Sequence, residues 1–225
     1  MEGKGIDFAA IPQTAVKVLT SPAEFFKGMP KTGGFVEPLV FLIAMGVVGG
    51  LLQSILSLLR FRVAAGMMMG VGSVILLPIL IGIFGFVGAA ILYVIWKLIG
   101  SQESYETAYR CGAYIGVLTP LSVLLNLLPI VGGVVNILLM TFFLVTASVA
   151  VHNLPSRKAW MVFGIIGGIM ILFSVSAEFA ARRISRDAVK FQKEAEEASR
   201  QVQRQMEEAK KAMEQMQRDA PKEGK

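Results

Sequence analysis

Four long stretches of this chain, 38–59, 63–96, 111–156 and 159–177, contain no Asp, Glu, Lys or Arg. About 20 apolar residues at 1.5 Å rise cross a hydrocarbon core about 30 Å thick. One such run fits a buried core helix, but four in one chain do not. The ionic residues are crowded into the two ends, and the chain is 54% apolar and only 17% charged, where a soluble domain carries about 25% charge. The sequence therefore predicts an all-α, polytopic transmembrane helical bundle with a long charged C-terminal helix.

Run lengths set the number of passes. Residues 38–59 make one span, ended by Arg60 and Arg62. The 34 residues of 63–96 would be about 51 Å of helix, too long for one upright pass and short for two with a turn. They read as one tilted helix, kinked at Pro78, with a re-entrant pair as the alternative. Residues 111–156 give about 69 Å, enough for two passes turned at Asn126-Leu-Leu-Pro129-Ile-Val-Gly132-Gly133. These are expected at 108–127 and 131–152, and a last span at 159–177 makes five. The domain expectation is a surface segment at 1–35, a membrane domain at 36–178 and a tail at 179–225. With the N-terminus inside, Lys/Arg near the membrane divide eight to seven between the two sides, so the positive-inside rule does not fix the orientation.

No short apolar leader with a small-residue cleavage site precedes the first run, so the first span is expected to act as its own targeting signal. Ser21-Pro22-Ala23-Glu24 reads as a helix start, with Ser21 as cap and Pro22 at the first position. The helix it opens is expected to lie in the headgroup region, with the Phe25 and Phe26 rings in the boundary and Lys27 and Lys31 toward phosphate. A formal net charge of +6 points to anionic headgroups rather than nucleic acid.

After Glu178 the character changes. Ile184, Ala188, Phe191, Ala195, Ala198, Val202, Met206, Ala209, Met213 and Met216 recur at spacings of four and three, a heptad stripe with one stutter. Glu196–Arg200, Glu207–Lys211 and Glu214–Arg218 are i,i+4 pairs in the favourable order. Because the stripe is rich in Ala and Met, a solvated single helix and an oligomerising or partner-binding one both remain open.

Candidate chemistry is thin. One His and one Cys supply no ordinary zinc site and no intrachain disulfide; neither a metal nor a cofactor is expected. His152 reads as a polar residue at the end of a span. A hydrolase would have to pair Ser73 with His152. A transporter would need a hydrated cavity lined by Gln53, Asn126 and Asn136. Gly46/Gly50, Gly66/Gly70, Gly112/Gly116 and Gly164/Gly168 are small-xxx-small pairs that suit close helix packing.

Tyr105-Glu106-Thr107 before Arg110, Ala113-Tyr114 opening a span with Pro120, and the Leu128-Pro129-Ile-Val-Gly132 turn follow a recognisable order. With Phe25-Phe26-Lys27-Gly28-Met29-Pro30 and Glu37-Pro38-Leu39 upstream, residues 20–178 resemble the Yip family of Ypt/Rab-interacting membrane proteins, in its short prokaryotic form. The resemblance implies five spans, a cytosolic N-terminus, a prokaryotic cytoplasmic (inner) membrane and a non-enzymatic role. Eukaryotic members act in vesicle traffic and bind small GTPases. Their acidic-Leu-Tyr-Gly-Pro motif is reduced here to Glu37-Pro38 and their Gly-Tyr-Ser element to Ala113-Tyr114-Ile115, so GTPase binding is not carried over.

Overall fold

The structure, a computed structural model, describes residues 8–60 and 63–219. The side chains of 60, 63–79, 81, 208, 209, 212 and 214–219 fall outside that description. The expectations placed on Gly66, Gly70, Ser73, Pro78, Ala209, Met216 and the Glu214–Arg218 pair lie there.

All regular structure among the described residues is helical. The helices are α1 (Ala10–Thr20), α2 (Pro22–Gly28), α3 (Val36–Arg60), α4 (Val63–Leu98), α5 (Tyr105–Ile115), α6 (Leu118–Leu125), α7 (Val131–Ala150) and α8 (Ser156–Asp219). Three helices are long and apolar enough to cross a membrane, or four when the bent α5–α6 pair counts as one. Of α4, the apolar stretch Gly82–Leu98 is described. Its backbone is one uninterrupted helix, which matches the single-helix reading of 63–96 rather than a hairpin.

Large apolar side chains remain uncovered on the outer faces: Ile83, Phe84, Ile91 and Val94 on α4, Leu138 and Phe142 on α7, Ile165, Ile169 and Phe173 on α8. Only 33% of the α3 window and 28% of the α7 window is buried inside the protein. In water such surface would drive aggregation; in lipid it is the solvated face. The chain is an integral membrane protein in contact with the bilayer.

Two features differ from the sequence reading. First, α1 is a helix of its own, ending where Ser21 donates its backbone N–H to the Lys17 carbonyl. Second, the span expected at 108–127 is broken, with α5 and α6 meeting at 41°. Pro120 has no N–H to give the Gly116 carbonyl and its ring crowds that oxygen. Thr119 N–H takes the carbonyl instead, at 2.9 Å. The turn from α6 to α7 forms where Pro129 and Gly132 indicate, with Ile130 at a φ of 65°. A Cβ on Gly132 would overlap the Leu125 carbonyl oxygen.

Close helix contacts use some of the expected glycines. Gly46 and Gly50 are buried. Gly116 receives the Leu42 side chain, and a Cβ on Gly112 would meet Leu92 at 3.7 Å. Gly164 and Gly168 do not serve this role, since a Cβ at either meets nothing within 4 Å. It is Gly167, between them in sequence, that faces Thr141. Small-residue spacing marks a smooth face, but the partner helix decides which glycine is used.

The chain divides into two compact units at Val175/Ser176. The second is the C-terminal part of α8. Ile184, Phe191, Val202, Met206 and Met213 are all more than half exposed on it. Glu196–Arg200 and Glu207–Lys211 pair at 2.6 and 2.9 Å, as their spacing indicates, and Glu178–Arg182 adds a third i,i+4 pair at 3.1 Å.

Candidate functional site

The polar chemistry of the membrane unit collects where the α2–α3 loop meets the start of α5. Gly33 and Gly34 turn this loop at φ values of 124° and 83°, which residues with a Cβ rarely adopt. Ser104 caps α5, its hydroxyl accepting the Thr107 N–H at 3.2 Å. That fixes one face of the first α5 turns, with Glu106 and Arg110 four residues apart and Thr107 beside them. Glu106 Oε1 accepts the Gly34 N–H at 2.6 Å. Arg110 Nη1 donates to the Gly34 carbonyl at 2.9 Å, and Nη2 to Glu37 Oε2 at 3.1 Å. Thr107 Oγ1 donates to the Lys31 carbonyl at 3.1 Å, and Lys31 Nζ pairs with Glu103 at 2.7 Å. One helix face therefore grips both backbone groups of Gly34 and both ends of the loop.

Aromatic packing extends this clasp. The Tyr105 hydroxyl donates to the Phe86 carbonyl of α4 at 2.9 Å. Tyr109 stacks on Phe86 with centroids 4.3 Å apart. Tyr114 lies between Phe25 and Phe41, at 4.9 and 5.1 Å. Consequently α2 does not turn its rings to the headgroups. Phe26 is in the core and Phe25 packs edge-on against Phe26 and Tyr114. Lys27 is exposed, whereas Lys31, though exposed, is paired. Burial against α5 and α7 outweighs an interfacial position because Phe26 gains a complete apolar environment inside the protein.

Behind the clasp lies a second cluster that sequence reasoning did not assemble. Trp96 Nε1 donates to Ser148 Oγ at 2.7 Å. The Trp96 ring stacks on His152 at 4.0 Å. Ser101 Oγ lies 2.7 Å from His152 Nδ1, and Cys111 Sγ lies 3.9 Å from Nε2. His152 is thus buried among other side chains rather than placed at the surface as a polar span end. Its signal in the sequence was faint: Asn153, a residue type that tolerates the left-handed φ of 53° found there, follows His152 directly. The cluster is sealed, because Trp96, Cys111 and Ser148 have no exposed surface. A thiol and an imidazole closed off from any substrate serve packing rather than nucleophilic chemistry.

Burial, partly opposed by the Glu103 carboxylate and reinforced by the Lys31 and Lys97 ammoniums, pulls the His152 pKa down to about 4. The unfolded chain binds its proton near pH 6.5 and the folded chain only near pH 4. Stability is therefore complete above about pH 6.5 and falls as pH drops toward 4. The loss is on the order of 3 kcal/mol at most. Thermal unfolding between pH 4 and 7 should show this slope, and His152→Gln should flatten it; an unchanged slope in the variant would assign it to other groups.

Two of the three residues proposed for a hydrated cavity are engaged within the protein. Asn136 Oδ1 accepts the Ser122 hydroxyl at 2.6 Å, and Gln53 contacts Ser57 on its own helix at 3.4 Å. Asn126 lies exposed at the α6–α7 turn. Among the described residues no three His, Cys, Asp or Glu side chains gather as a metal site.

A family model described as the Yip1 domain matches residues 16–177, more than half of the chain and the whole of the clasp. Neither the curated proteins nor the solved structures gave a match.

Proposed function

The chain belongs to the Yip family of membrane proteins, and on that premise we propose that it is a non-enzymatic scaffold or adaptor that organises the membrane by recruiting a partner. Three parts share the work. Residues 1–35, which pack Val18 and Phe26 into the core, form the N-terminal segment, 36–178 anchor the protein in the cytoplasmic membrane of a prokaryotic cell, and 179–225 engage a second copy or another protein. The observation that carries this reading is the stripe of Ile184, Phe191, Val202, Met206 and Met213. It is apolar, exposed and repeats near 3.5 residues. A helix kept only for solubility has no use for such a seam.

The test is chemical cross-linking and co-purification of the full-length protein from membranes. Replacing Ile184, Phe191, Val202, Met206 and Met213 together by Ser should abolish cross-linked species while membrane insertion stays intact. Identical cross-linking profiles for the two proteins would end the proposal.

A further inference from the structure

A cavity of about 310 Å³ opens between α1, α2 and the beginning of α3, lined in part by Gln13, Thr14, Lys17, Gly28, Glu37 and Tyr114. This is the size of a small-molecule site. Its polar groups are of two kinds, set on different elements. On α1, Lys17 has no ion-pair partner among the described residues. Across the cavity, the Glu37 carboxylate is held by the Arg110 guanidinium at 3.1 Å, and Tyr114 lines the same wall. A carboxylate offers about four acceptor positions, so Glu37 keeps acceptor capacity toward the cavity.

We propose that this cavity binds the phosphoethanolamine headgroup of a membrane phospholipid. Lys17 takes the phosphate, and Glu37 with Tyr114 takes the primary ammonium. An ammonium carries three N–H donors that answer these acceptors. A quaternary choline group carries none and instead favours an aromatic cage, whereas here only Phe25 and Tyr114 supply rings. A glycerol hydroxyl can donate to Glu37, but the bond to a cation is roughly twice as strong. The lipid source follows from position. Glu37 lies in the first turn of α3, a candidate span, and headgroups lie at span ends. A shallower groove on α1, sharing Gln13 and Lys17 with the cavity and lined also by Val16, continues from it and suits the glycerol portion.

The experiment is native mass spectrometry of the full-length protein in detergent. It is titrated separately with short-chain phosphatidylethanolamine, phosphatidylcholine, phosphatidylglycerol and free phosphoethanolamine. The ethanolamine lipid should bind about tenfold or more tightly than the other two lipids. Lys17→Gln should weaken it by about tenfold. Gly28→Leu should remove it, because a Cβ at Gly28 meets nothing within 4 Å and the larger side chain fills the space. Thermal unfolding checks both variants, and if Gly28→Leu does not fold, the exposed Lys17→Gln decides alone. Equal binding of the three lipids, or unchanged binding in the folded variants, overturns the proposal. Free phosphoethanolamine binding as tightly as the lipid overturns the lipid assignment in favour of a water-soluble ligand.

Discussion

Arg110→Ala should cost about 3 kcal/mol of stability and release the 31–37 loop from α5. The Arg110 side chain is fully buried and donates to the Gly34 carbonyl and to Glu37. The Glu37 side chain is 66% exposed, so the carboxylate left behind rehydrates and the ion pair itself contributes little. The larger losses are the donor to Gly34 and the packed volume of the arginine stem. Arg110→Met separates the two, since it restores the stem without the donors. It should recover about half of the loss. Thermal unfolding of the full chain in detergent, read by circular dichroism, measures both. If Arg110→Met is as damaging as Arg110→Ala, packing is not part of the clasp. If neither variant is destabilised, the clasp does not hold the fold.

Gly132→Ala should be at least as severe, about 3 kcal/mol or more. The added Cβ overlaps a backbone carbonyl, that of Leu125, and no side-chain rotation relieves it. The turn from 126 to 131 would have to open, and it already holds Ile130 at a φ of 65°, a conformation that strains a β-branched residue. The neighbouring Gly133→Ala is the control, because its Cβ would meet only the Ser174 hydroxyl at 3.3 Å and should be mild. Similar melting temperatures for Gly132→Ala and the parent would show that the turn adapts.

The helical membrane class, α3, the α6–α7 turn and the tail helix were legible because each rests on local pattern: charge-free length, turn residues or 3.5-residue spacing. The direction in which apolar faces point was not legible. Inside a bilayer, protein-facing and lipid-facing surfaces are both apolar, so hydrophobic periodicity loses its power to separate them. That is why Phe26 looked like a headgroup anchor and proved to be core, and why Gly164 and Gly168 looked like a packing face and met open space. The break at Gly116 was carried by Pro120, a signal present in the sequence but placed inside one continuous span at 108–127. Glu106 and Arg110 were singled out through family resemblance alone. Their partners lie more than 70 residues away, and only the folded chain brings them together.

The second cluster also gives the protein a built-in clock. Cys111 is the sole cysteine of the chain and is completely enclosed beside His152. A water-soluble maleimide can therefore modify the native protein only during moments when the packing around Cys111 opens. Because no other thiol competes, the rate of mass gain reports how often that packing breathes, in an intact bilayer and without an introduced label.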